Sequence, residues 1–306
     1  MTTTYTSPFP TPDVPAQLQI KLMKHGDKLV MLPAAALEAL ELAKDPNCSV
    51  SRFSLLVQRD TKLATDILSM ANSAAFAPVS PIVTLHQAVV RLGFWQCRNL
   101  IVASSVASLM QRIPLEQEWI REVLAQHSYT TAVVGVHLNR VMSVGFHGEE
   151  FTAGLIHDFG RLLLAVVTGD DFGMVDPLDF DELAEADAML DRETAGVGTN
   201  HCELGAWFAG QNGLPESLVH VIRLHHTPFV PGPHQKLVAL TAAADHLANH
   251  LQRFGDADSY DPESNYGITA LAECGVRRAT EVFLDIVDTL IEAVLDDAHG
   301  KCFQAF

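Results

Sequence analysis

Phe151-Thr152-Ala153-Gly154-Leu155-Ile156-His157-Asp158-Phe159-Gly160-Arg161 runs straight on into Leu162-Leu163-Leu164-Ala165-Val166-Val167. Apolar residues recur here at helical spacing, and among them stand an imidazole, a carboxylate and a guanidinium. Burying such groups in an apolar helix without partners is costly. An imidazole beside a carboxylate is also a donor pair that suits a divalent metal ion. The stretch therefore predicts a helical site whose other partners come from elsewhere in the chain.

Outward from it, apolar positions recur at three and four, and strand signals are nearly absent. The expected fold class is all-α, a compact multi-helix bundle with an N-terminal helical lobe. Upstream, a long helix from about 116 to 144 carries His127, and Gly145 to Gly148 breaks it. Ile113-Pro114 marks the expected boundary with the N-terminal lobe, residues 16–113. In that lobe Pro33 opens a helix and Asp45-Pro46 ends it. Ser49 or Ser51 caps the next, and a helix from about Asp60 stops near Asn72-Ser73. Thr84 caps another that Gly93 breaks, and an apolar helix spans about Trp95 to Met110.

Downstream, residues 176–193 hold eight acidic side chains against one arginine, the pattern of an exposed, solvated helix. His201 opens an amphipathic helix that Gly213 ends. Pro215 starts one that finishes at His225-His226, and the loop Pro228 to Pro233 leads to a helix carrying Asp245. Residues 114–252 form the expected site lobe. A polar loop and last helix, 253–306, are expected to pack on the same body. Residues 1–15, rich in Thr and Pro, have neither a basic region nor an apolar core and read as a disordered leader rather than a secretory signal.

Composition narrows the function classes. Hydrophobic residues make up 48% of the 306, which excludes general disorder, yet no charge-free run of eighteen apolar residues predicts a membrane span. A formal charge of −17 argues against direct nucleic-acid binding or an anionic membrane surface, both of which need clustered Lys and Arg. Five scattered cysteines (48, 97, 202, 274 and 302), with no CxxC pair, support neither a disulfide framework nor a zinc knuckle. A reducing, cytoplasmic compartment is the expectation. Aromatic and proline residues cluster at Phe76–Pro81 and around Trp95, where core packing is the simplest reading.

Among 14 histidines a single one says little. The candidate site rests on a set: His127, His157-Asp158, His201, His225-His226 and Asp245. Each falls on or at the end of a predicted helix, and side chains from facing helices of a bundle commonly build an inward metal site. A purely structural cluster would ask seven polar side chains to satisfy one another without an ion.

The order His, His-Asp, Asp on successive helices resembles the HD superfamily of metal-dependent phosphohydrolases. His201, within His201-Cys202-Glu203-Leu204-Gly205, and His225-His226 are similar to the fuller ligand set of the HD-GYP branch. That likeness stops at Thr227-Pro228-Phe229, with no following Glu and no Gly-Tyr-Pro, which argues against cyclic-di-GMP hydrolysis of that kind. Val123, one turn before His127, leaves no carboxylate for a trinuclear site. Leu32-Pro33, Asp45-Pro46, Ala71-Asn72-Ser73, Ala88, Leu92-Gly93, Asn99-Leu100, Gly154 to Arg161, His201 to Gly205, Gly213-Leu214-Pro215 and His225-His226 together resemble the HDOD domain, over roughly residues 20 to 250.

The resemblance implies a bacterial signal-transduction module that acts through a signalling protein partner. Its retained ligands imply the alternative, a phosphohydrolase acting on a phosphorylated small molecule. It implies that His127, His157, Asp158 and Asp245 hold one divalent transition metal ion, iron, manganese or zinc. Asp158 would bridge to a second ion completed by His201, His225 and His226. Asp158 and Arg161 are the expected catalytic residues. An ion makes its bound water a nucleophile near neutral pH, and Arg161 either grips a phosphate oxygen in a forked contact or is a surface arginine.

Overall fold

A computed structural model of the chain describes residues 12–25, 29–43, 45, 47–72, 79–180, 182–257 and 259–300. Most of the expected leader, Ser73 at the expected helix end, residues 76–78 of the Phe76–Pro81 loop, Pro46, Asp181 and Cys302 lie outside the described residues. Among those described, every regular element is a helix.

The N-terminal elements are α1 (Ala16–Met23), α2 (Ala34–Leu42), α3 (Val50–Val57), α4 (Thr61–Ala71) and α5 (Leu85–Arg112). Local chemistry sets their ends. Ser49 accepts a hydrogen bond from the Arg52 amide, and Thr84 and Gln87 form a reciprocal capping box. Gly93, at φ 79°, bends α5 out of helical geometry at the predicted break. Helices α2 to α5 pack on one another, and α5 leans on α7. Trp95 does not join that core: it is 55% exposed, its ring lies 4.4 Å from the Arg98 guanidinium, and its indole N–H donates to Glu149.

The second group is α6 (Glu118–Met142), α7 (Glu149–Ile156), α8 (Phe159–Thr168), α9 (Phe172–Val175), α10 (Glu182–Val197), α11 (His201–Gln211), α12 (Glu216–Leu224) and α13 (Gln235–Phe254). Helices α6, α7 and α13 pack together, and α11 lies against both α8 and α12. The last helices, α14 (Tyr266–Glu273) and α15 (Ala279–Gly300), cover α13 and α6 respectively. The leader's described end is ordered against this group: the Asp13 amide donates to Glu203, Thr199 donates to the Asp13 carbonyl, and α1 rests on α8.

Two close approaches bring the site together. A Cβ at Gly154 would stand 2.6 Å from the Ala132 backbone, so glycine lets α7 press onto α6, the helix of His127. A Cβ at Gly160 would stand 1.9 Å from the His201 carbonyl oxygen, so α8 meets the first turn of α11 only through glycine. Glu149–Val175 is the one described segment long and apolar enough by composition to cross a membrane. Its apolar window is 94% buried inside the protein.

Candidate metal centre

All seven predicted ligand residues converge. His127 sits mid-way along α6, His157 and Asp158 join α7 to α8, and Asp245 sits mid-way along α13. His127 Nε2 is 2.9 Å and His157 Nε2 3.2 Å from Asp245 Oδ1, and the two ring nitrogens are 3.3 Å apart. A second group forms where α11 begins and α12 ends. His201 Nε2 lies 3.4 Å from His225 Nε2 and 3.2 Å from His226 Nε2.

Asp158 stands between the groups. Its Oδ2 is 3.6 and 3.7 Å from the His127 and His157 nitrogens, and its Oδ1 is 3.4 and 3.5 Å from those of His225 and His201. Six of the seven residues are buried to 3% exposure or less, and only His226 is half-buried.

Hydrogen bonds on the far side of the rings fix the tautomers. His157 Nδ1 faces the Gly154 carbonyl at 2.7 Å, and His225 Nδ1 faces those of Val221 and Ile222 at 3.2 and 3.1 Å. His201 Nδ1 faces both carboxylate oxygens of Glu193 at 3.0 and 2.9 Å. A carbonyl or carboxylate only accepts, so each Nδ1 carries the proton and each Nε2 can present a lone pair inward. Asp158 Oδ1 and Asp245 Oδ2 are buried without a hydrogen bond. Converging lone pairs with too few protons between them fit a cation, and the outward bonds are those that orient metal-ligating imidazoles.

Electrostatics divide the histidines. Burial disfavours a charged His157 ring, but Asp158 and Asp245 outweigh it and push its pKa up to about 9, so Nε2 carries a proton until an ion displaces it. Burial also opposes ionised Asp158 and Asp245, yet the neighbouring charges, His157 first, hold both well below the ordinary carboxylate range. Across the site, burial lowers the pKa values of His225 and His226, with His157 and His201 adding to it at the first and His225 and His201 at the second, whereas at His201 burial is outweighed by Cys202 and Glu193 and the pKa is raised. The His225 and His226 rings are neutral and ready to ligate.

Three expectations change. Arg161 is no surface arginine, being 1% exposed. Its fork closes on Asp176, Nε to Oδ2 at 2.7 Å and Nη2 to Oδ1 at 2.8 Å, while Nη1 donates to Asp158 Oδ2 at 3.0 Å. The guanidinium holds Asp158, and its fork is taken by Asp176. Second, the acidic run is not wholly solvated. Asp176 and Glu193, at its two ends, are 1% and 0% exposed and support Arg161 and His201. Third, the donor set has a sulfur beside it, Cys202 Sγ, 3.4 Å from His201 Nε2.

Sequence reasoning also missed Phe180, whose ring lies 4.9 Å from the His127 ring and 5.0 Å from the Arg161 guanidinium. It ends a short covering segment in which Leu178 and Phe180 both take left-handed φ, 52° and 53°. The Leu178 amide is pinned to Asp176 Oδ1 at 3.0 Å.

A family model described as the HDOD domain matches residues 29–228. The chain belongs to the HDOD domain family. This HDOD chain is similar in fold to an HDOD domain protein with unknown function from Geobacter sulfurreducens, at 24% identity and a TM-score of 0.66, covering 92% of this chain and 96% of that one. It is similar also to a protein of Shewanella amazonensis SB2B titled "Putative phosphohydrolase", at 24% identity and a TM-score of 0.56, covering 90% and 97%. An "Uncharacterized protein" of Treponema pallidum (strain Nichols) is 26% identical over 242 residues, 76% of this chain but only 44% of that relative's length. The HDOD match ends before Asp245, which the fold nevertheless brings to His127.

Proposed function

We propose that the chain is a regulatory HDOD module that acts by binding a signalling protein partner, with an HD-type metal centre serving its structure. One observation carries this reading: the centre is closed. A catalytic metal ion keeps a coordination position open to substrate, and shielding of its ligand residues hinders a substrate from reaching one. Here six of seven ligand residues are at most 3% exposed, and Phe180 covers the His127 side.

The chain's own groups explain how the centre would hold the body together. Asp158 ties the α7–α8 junction to α6, α11 and α12, and Asp245 ties α13 to α6 and α7. Arg161 and Asp176 fix the carboxylate of Asp158, and Glu193 fixes the His201 ring. The complete ligand set favours a second reading, a metal-dependent phosphohydrolase. Divalent ions held there would polarise a phosphoryl oxygen and activate water. Asp158 would then position the reacting groups, and Phe180 would exclude bulk solvent.

The test is hydrolysis of an aryl phosphodiester by protein whose metal content has been measured by elemental analysis. A loaded wild type, with about two equivalents of iron, manganese or zinc, is expected to show no turnover above an Asp158→Ala variant. Turnover that the substitution abolishes would establish the phosphohydrolase instead.

A further inference from the structure

Cys202 follows His201 in the first turn of α11 and is 4% exposed. The HD-type ligand pattern makes no use of it. Yet one donor atom from each of His201, Cys202, His225 and His226 lies within 4.8 Å of every other. His201 Nε2 meets three of them at once: His225 Nε2 at 3.4 Å, His226 Nε2 at 3.2 Å and Cys202 Sγ at 3.4 Å. Its outward Nδ1 proton is committed to Glu193, so Nε2 has a single lone pair to offer.

A tetrahedral ion accounts for all of these spacings. With metal–nitrogen bonds near 2.05 Å and a metal–sulfur bond near 2.3 Å, its edges are about 3.3 Å between nitrogens and about 3.6 Å between nitrogen and sulfur. The three separations from His201 Nε2, 3.2 to 3.4 Å, are of that size.

We propose that Cys202 Sγ is a ligand of the second ion, alongside His201, His225 and His226. Asp158 Oδ1, 3.4 Å from His225 and 3.5 Å from His201, borders this four-donor set from the other half. A thiolate in the set selects zinc or ferrous iron over manganese or magnesium. This inference rests on the metal-centre reading above and changes the chemistry of one half of it.

Cobalt(II) is the probe. Metal-free protein is titrated with cobalt, and bound metal and the near-ultraviolet absorption are followed together. Wild type is expected to develop a strong sulfur-to-cobalt charge-transfer band. Cys202→Ser is expected to bind cobalt without the band, and Cys97→Ser to keep it. Cobalt uptake by wild type with no band, or a band that survives in Cys202→Ser, overturns ligation by Cys202 and leaves the metal centre standing. No uptake at all overturns the centre itself. X-ray absorption of zinc-loaded wild type needs no substitution: a sulfur neighbour at about 2.3 Å is expected, and nitrogen and oxygen neighbours alone at about 2.0–2.2 Å would refute the proposal.

Discussion

His127 and Asp245 project from the middles of α6 and α13, with His157 at the end of α7, whereas His201, Cys202, His225 and His226 all stand where α11 begins or α12 ends. The first group is held by helix interiors packed on one another and by the Gly154 carbonyl behind His157. The second depends on caps and remote support: Asn200 accepts from the Glu203 amide to start α11, and Glu193 of α10 reaches His201. One half also concentrates carboxylates, and the other imidazoles and a thiol. Rigid helix interiors fix one half of the centre. Helix termini build the other, so its geometry depends on how those ends are capped and supported.

The sharpest way to break the comparison is Asp158→Ala. Because its two oxygens face different halves, all bound metal is expected to be lost, as read by elemental analysis; one equivalent retained would show that the halves are independent. Arg161→Met comes next. Removing the cation from buried Asp176 and Asp158 should cost about 3–5 kcal/mol of stability in chemical denaturation.

The same pair has a pH signature. Burial raises the Asp176 pKa, but Arg161 outweighs burial and lowers it overall. A lowered folded-state value means the stabilisation is complete above the unfolded carboxylate pKa of about 3.9 and is lost as pH falls through the folded one. Asp176→Asn should therefore flatten the acid limb of the stability curve.

Glu193→Gln tests the second half alone. Losing a carboxylate behind a ligating imidazole should weaken that position about 10–100-fold and leave the first unchanged in a chelator-competition titration. Equal weakening of both would erase the distinction drawn above. The smallest effect is expected far from either half. Arg59→Ala removes an exposed pair with Glu38, at 3.3 Å, and should move stability by about 0.5 kcal/mol or less.

The all-α fold was legible because caps and breakers are local: Ser49, Thr84 and Gly93 act within a few residues of themselves. The convergence of the seven candidate residues was legible because His157-Asp158 interrupts an apolar helix and needs partners. What supports them was not. Asp176 and Glu193 lie in a run whose charge pattern is that of a solvated surface, and only tertiary packing turns its two ends inward. Arg161 offers the same fork to a phosphate or a carboxylate, so its partner depends on a residue fifteen positions away. Cys202 sits next to His201 without any spacing motif, and its role emerges only when α12 ends across the first turn of α11.

The enclosure of the centre also has a kinetic consequence. Phe180 covers one side, and His226 is the only ligand residue with appreciable exposure. An ion inside leaves no faster than the protein opens around it. Stripping by a chelator should then reach a ceiling set by that opening and cease to depend on chelator concentration, so occupancy would record past metal exposure as well as the present supply.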